Sequence, residues 1–244
     1  MSERYQTTDG IVIRRHEMTN GDVIVTLLSH HGKWRARAKK GKKIGGNVGK
    51  LSLFHDVTVQ YYKKSDEDIV LLTQVQLNGA LPHLSQPNVY PYVHILAELV
   101  DTLTVDHQHD EQLYSYFASG LRGLNQHPDA EAIAIIYVWK LLQQAGLAPQ
   151  LKRCSCGKNS LSSKFDIASG GVSCTDCNIG MTLHENTLTD LQMIHHQTLK
   201  KVIEAALENR VQHWSLIHRY ITYHVQELQS LNTLLHLSKE PSYA

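Results

Sequence analysis

The chain has 244 residues, of which 42% are hydrophobic and 19% charged, and its formal net charge is +1. These proportions are those of a soluble globular protein of one to three domains. They exclude a membrane span: the longest apolar run, Ala132 to Trp139, is far short of the ~18–20 residues needed to cross a bilayer.

The near-neutral total hides a segregated one. Residues 1–64 carry thirteen Lys/Arg against five Asp/Glu, and residues 65–244 carry eleven against eighteen. Charge sorted in this way costs self-repulsion that a bound polyanion would relieve. The polar start, MSERYQTTDG, has no signal-peptide core, so a cytoplasmic protein is expected.

Residues 9–77 read as all-β. Gly10 to Arg15 alternates, and Asp22 to Leu28 is a β-branched run after the Asn20-Gly21 turn signal. A basic stretch, Gly32 to Lys50, follows with eight Lys/Arg and no acid. In a strand, successive side chains point to opposite faces, so Lys33, Arg35, Arg37 and Lys39 share one face and Trp34, Ala36 and Ala38 the other. Lys40, Lys42 and Lys43 continue it in a glycine-rich loop. One reading is a solvated face that keeps a sheet edge soluble. The other, which the charge segregation favours, is a nucleic-acid footprint.

Leu51 to Tyr62 and Ile69 to Leu77 complete five short strands, suited to a small closed barrel of OB type whose open face holds single-stranded nucleic acid. Tyr61, Tyr62 and Phe54 are candidate stacking platforms for bases, but alternation makes at least one of the tyrosines internal.

The period changes after Leu81-Pro82. Val89 to Val105 and Glu111 to Leu124 have helical apolar stripes, and Pro128-Asp129 opens a third helix that stops at Gly146. Beyond the cysteines, Thr187 to Asn209 and Val211 to Leu237 each read as one further helix. The expected architecture is α+β and multidomain. It has an OB-type barrel over 1–80, a helical domain over 81–150 and 186–244, and a zinc-ribbon-like module over 151–185.

All four cysteines lie between Cys154 and Cys177, which points to a metal and not to disulfides. Cys154, Cys156, Cys174 and Cys177 form two close pairs able to close a tetrahedral Zn²⁺ site of four thiolates. The second pair has C-x2-C spacing. The first is C-x-C, and a turn one residue short is expected to withhold backbone N–H groups from its first sulfur. A vacant site, or His184 as a substitute ligand, are the alternatives. No activating base lies beside the cysteines, so such a zinc would be structural. The sixteen histidines are scattered without other ligand spacing. No nucleophile elbow, phosphate loop or two-metal carboxylate cluster is present, and no catalytic residue is assigned.

Three stretches resemble RecO, the bacterial recombination mediator family of the RecF pathway. They are Gly10 to Ile13 with Gly21 to Leu28 and Gly32-Lys33, then Leu141-Leu142 with Gly146 to Pro149 leading into Cys154, then Phe165-Asp166 with Gly170 to Cys174. The resemblance implies a non-enzymatic protein that binds single- and double-stranded DNA, anneals complementary strands, binds the C-terminal tail of SSB, and works with RecR to help RecA replace SSB. Its DNA surface carries over to Lys33, Arg35, Arg37 and Lys39, with Arg14, Arg15, Lys40, Lys42 and Lys43 beside them. An RNA-binding or translation-associated OB protein with a zinc ribbon is the alternative, since phosphate contacts do not distinguish the two nucleic acids.

Overall fold

The structure is a computed structural model and describes residues 5–40, 46–62, 69–79 and 81–237. In chain order the described elements begin with β1 (Tyr5–Glu17), β2 (Val23–Ser29), β3 (Gly32–Ala38), β4 (Asp56–Tyr62) and β5 (Ile69–Gly79). Helices α1 (Tyr90–Leu103), α2 (Glu111–Gln126) and α3 (Ala130–Gln144) follow, then β6 (Leu161–Asp166), β7 (Gly171–Cys174) and β8 (Met181–Thr182). The chain continues through α4 (Glu185–His196), α5 (Leu199–Glu204), α6 (Arg210–His224) and α7 (Gln229–Leu237). Two compact units result, one of Met1–Gln86 with Thr104–Gln126, the other of Pro87–Leu103 with His127–Ala244.

In the first unit five strands close into a barrel in the order β1-β2-β3-β5-β4. Every pairing is antiparallel except β3 with β5. The alternation read from the sequence sets its inside: Trp34, Ala36 and Ala38 pack with Val25, Leu27, Val57 and Val59. Trp34 keeps its buried indole N–H satisfied by donating to Ser29 Oγ at 3.2 Å. Gly32 turns the β2–β3 hairpin at φ +95°, and a Cβ there would lie 2.2 Å from the Gln108 carbonyl oxygen, so only glycine fits. Helix α2 clusters with this barrel and not with the helices that the sequence pattern groups it with. The reason is on β1, where Ile11 lies outside the barrel interior. It shares a cleft with Phe54, Ala118 and Leu121.

In the second unit α3 is the central helix, with twelve of its fifteen residues buried, and α1, α4, α5 and α6 pack on it. Asp129 caps it as the Pro-Asp signal predicts, accepting from the Ala132 N–H at 3.1 Å. Gly146, at φ +78°, ends it. The Leu147 N–H returns to the Leu142 carbonyl and the Gly146 N–H to the Gln143 carbonyl, a helix stop that needs a left-handed residue.

Two long helices expected from the sequence are each broken. The one expected over 187–209 ends at His196 and resumes as the short α5. The one expected over 211–237 divides into α6 and α7. Glu98 of α1 supplies the reason for the second break: its carboxylate accepts from the Gln229 N–H at 2.9 Å and the Ser230 N–H at 2.8 Å, capping a new helix start. The cysteine module is a three-stranded ribbon ordered β7-β6-β8.

Candidate nucleic-acid interface and cysteine cluster

Lys33, Arg35 and Arg37 of β3, with Lys39 just past its end, do lie on the outer side, yet they are not equivalent. Lys33 is largely covered, its side chain 14% exposed, and its ammonium lies 3.6 Å from the Asp106 carboxylate. Arg37 donates from Nε and Nη2 to Asp22 Oδ2 at 2.9 and 2.6 Å. Asp22 also accepts the Lys40 backbone N–H at 2.8 Å and one from the Asn20 side chain. The Lys40 N–H, then the Arg37 guanidinium, hold the Asp22 carboxyl below its ordinary range. Arg35 and Lys39 remain exposed, with no acid paired to either among the described residues.

Register places a second cation beside Arg35. Arg35 on β3 pairs with Thr26 on β2, and Thr26 pairs with Arg14 on β1. Neighbouring strands lie ~4.8 Å apart, so Arg14 and Arg35 stand about 10 Å from each other in one outward row. Arg14 is exposed. Along β1 and β2 this row borders an open groove lined by Arg14, Arg15, His16, Ile24, Thr26 and Leu53. Arg15 points there half-buried, 2.6 Å from Glu17. The Lys40 side chain is exposed, whereas Lys42 and Lys43 lie outside the described residues. Of the aromatic candidates, Tyr61 packs on Trp34 at 5.0 Å between ring centroids and Phe54 is buried, which leaves Tyr62 outward.

Sequence reasoning missed the acids that neutralise Lys33 and Arg37, because both come from elsewhere in the chain. Asp22 carried a faint signal as a lone acid directly after the Asn-Gly turn. Asp106 carried none.

The cysteine cluster assembles as its spacing suggests. One Sγ from each of Cys154, Cys156, Cys174 and Cys177 lies within 4.8 Å of the others, and Cys156 and Cys174 are 3.6 Å apart. A tetrahedral site with Zn–S near 2.3 Å needs sulfurs about 3.8 Å apart, so these four residues can hold a metal ion. In the C-x2-C turn the Cys177 N–H donates to Cys174 Sγ at 3.4 Å, and the shorter C-x-C turn closes differently. Gly157 at φ +90° folds the loop back, its N–H donating to the Cys154 carbonyl at 2.8 Å while the Cys154 N–H donates to Lys158. The N–H groups of Cys156 and then Cys174 draw the Cys154 thiol down to about 6. Hydrogen bonds with the sulfurs of Cys174, Cys156 and Cys154 push Cys177 up to about 12. A divalent cation bound here would hold all four as thiolates. An ion pair between Lys158 and Asp176 ties the two turns together. His184 is no part of the cluster; it precedes α4 as its N-cap.

These features define an α+β protein with an N-terminal five-stranded barrel, a helical unit and a four-cysteine centre able to hold a metal. Among the described residues no helix is long and apolar enough to cross a membrane. Residues 1–80 match the family description "Recombination protein O N terminal", and residues 84–232 match "Recombination protein O C terminal". The chain belongs to the RecO family.

Relatives named DNA repair protein RecO include one from Oceanobacillus iheyensis, 28% identical over 69% of this chain and 66% of its own, just under two thirds of that protein. Another, from Bifidobacterium longum, is 29% identical over 68% of this chain and 71% of its own. Among solved structures, an asparaginyl-tRNA synthetase from Entamoeba histolytica overlaps 42% of this chain and 31% of its own at 10% identity and a TM-score of 0.28, too little to bear on the fold.

Proposed function

We propose that this protein is a non-enzymatic DNA-binding recombination mediator acting in DNA repair. The barrel is read as an OB-type module whose outer face holds DNA, single- or double-stranded. Arg14, Arg35 and Lys39 are its principal phosphate contacts, with Arg15, Lys40, Lys42 and Lys43 supporting them, while Lys33 and Arg37 lie on the same face with their charge held by Asp106 and Asp22. The observation that carries this reading is the row Arg14–Thr26–Arg35, two exposed cations on β1 and β3 with β2 between them, in a chain of the RecO family.

The mechanism is electrostatic. Cations neutralise phosphates and release counterions, so binding is steeply salt-dependent and nearly indifferent to sequence. Two strands held on one basic surface repel each other less, which permits annealing. With RecR, and through the C-terminal tail of SSB, the protein then helps RecA replace SSB on single-stranded DNA. Cys154, Cys156, Cys174 and Cys177 would hold a structural zinc that contributes folding free energy to the 151–185 module.

The test is the annealing rate of complementary strands precoated with the cognate SSB, with and without this protein. Acceleration is the expected result. Inert SSB-coated strands, together with equal binding of bare RNA and DNA, would replace this reading with RNA binding.

A further inference from the structure

The outer surface of the barrel carries a second row, one step along the strands from Arg14 and Arg35. Register defines it strand by strand. Ile24 on β2 pairs with Arg37 on β3, Arg37 with Leu71 on β5, Leu71 with Tyr62 on β4, and Tyr62 with Tyr5 on β1. Ile24, Arg37, Leu71 and Tyr62 are each one position from an inward neighbour, Val25, Ala36, Val70 and Tyr61, so they share the outer face, and Tyr5 joins them as the register partner of Tyr62. Residues two apart in a strand are about 6.6 Å apart, so on β2 and β3 the two rows run side by side, and the second continues beyond them onto β5, β4 and the start of β1.

The second row is unlike the first in chemistry. Ile24, Leu71 and Tyr62 are half-exposed, Tyr5 is 56% exposed, and the two tyrosine rings sit 5.4 Å apart at 58°. Its one cation, Arg37, is already neutralised by Asp22. A guanidinium held in this way offers its planar face to a ring more readily than its charge to a phosphate. Exposed cations flank the row, Arg35 on one side and Lys39 just beyond the strand end on the other.

We propose that Arg37, Leu71, Tyr62 and Tyr5 form the base-stacking platform of a single-stranded DNA site whose phosphates lie on Arg14, Arg35 and Lys39. Charge complementarity and the alternation of apolar and cationic rows select this occupant, because a single strand presents bases and phosphates side by side. The assignment rests on the DNA-binding reading above and adds to it which residues touch bases.

The experiment uses the full chain and two probes: an oligothymidine of about 16 nucleotides, within the site sizes of such barrels, and an abasic sugar-phosphate chain of the same length. Tyr62→Ala is expected to weaken oligothymidine binding about ten-fold, near the low end for one stacked base, with an unchanged salt slope. Tyr62→Phe should restore the affinity. Tyr5→Ser, at the exposed start of β1, should also weaken it, and every variant should bind the abasic chain like the unaltered protein. Ultraviolet cross-linking of 5-iodouracil oligomers to the unaltered protein should mark Tyr5 or Tyr62, a readout independent of how the variants fold.

Wild-type affinity in both tyrosine variants, or cross-links confined to other residues, would overturn the stacking platform while leaving the DNA site intact. Failure of the unaltered protein to bind either chain would overturn the DNA-binding reading and the platform with it.

Discussion

Arg37 reaches back across fifteen residues to Asp22, both of its donors meeting the same carboxylate oxygen at 2.9 and 2.6 Å. A basic strand that looks uniform in sequence is thereby divided into cations spent within the protein and cations left for a ligand.

Arg35→Ala should therefore lower the salt slope of single-strand binding by about 0.7, the value for one lost phosphate contact. It should leave the thermal midpoint unchanged, because Arg35 is exposed. Arg37→Ala should do the reverse, moving the midpoint more than the slope. Salt titrations and melting curves on the two variants check this. Equal slopes for both losses would mean that Asp22 does not neutralise Arg37 in solution.

Asp22 makes the same relationship pH-dependent. Its carboxyl is held below the ordinary range by the Lys40 N–H first and Arg37 second. A depressed folded-state pKa contributes stability that is present above the unfolded value, near 3.9, and is lost as pH falls through the folded value. Urea unfolding from pH 6 downward should show a loss beginning near pH 4. Asp22→Asn should be less stable at pH 6 and lack that part of the acid dependence.

Metal removal should act on the ribbon. Purified protein is expected to carry roughly one zinc per chain, and chelation should lower the midpoint of the second unit while barrel amides keep their hydrogen-exchange protection. Cys156→Ser should lose the ion. Metal-free protein with an unchanged midpoint would remove zinc from the account.

Glu98 caps α7 through two backbone N–H groups. Glu98→Ala should cost about 1 kcal/mol, as the loss of a capping side chain does. It should speed hydrogen exchange in the first turn of α7 and leave α6 as it was.

Glu131 accepts the Trp214 indole N–H at 3.0 Å and the Arg210 guanidinium at 3.2 Å. Glu131→Ala leaves a buried indole donor unpaired, which costs on the order of 1–3 kcal/mol. Urea unfolding followed by tryptophan fluorescence measures both the loss and the altered surroundings of Trp214.

The barrel interior was legible because Trp34, Ala36 and Ala38 alternate with charges, and period two survives any choice of partner strand. The four-cysteine cluster was legible from spacing, since each short pair brings its own sulfurs together. The pairing of Lys33 with Asp106 was not, because ion pairs depend on which distant segments meet. The break between α6 and α7 was hidden for a different reason. Apolar residues at Ile221, Val225, Leu228 and Leu231 keep helical spacing straight through it, and only the Glu98 carboxylate, more than a hundred positions earlier, marks where a new helix begins. Tyr5 was passed over because a lone tyrosine near a chain start says nothing until β4 brings Tyr62 beside it.

Strand β5 enters the barrel between β3 and β4, so neighbours in space are no longer neighbours in sequence. The outer rows cannot be assembled piecemeal: Tyr5 opens β1, whereas Leu71 belongs to the last strand to be made. Rings of this kind are closed by long-range pairings, whose loop entropy must be met before the contacts form. A bound strand lying across every seam would act as a hoop, raising the barrel's melting temperature in proportion to the logarithm of its concentration.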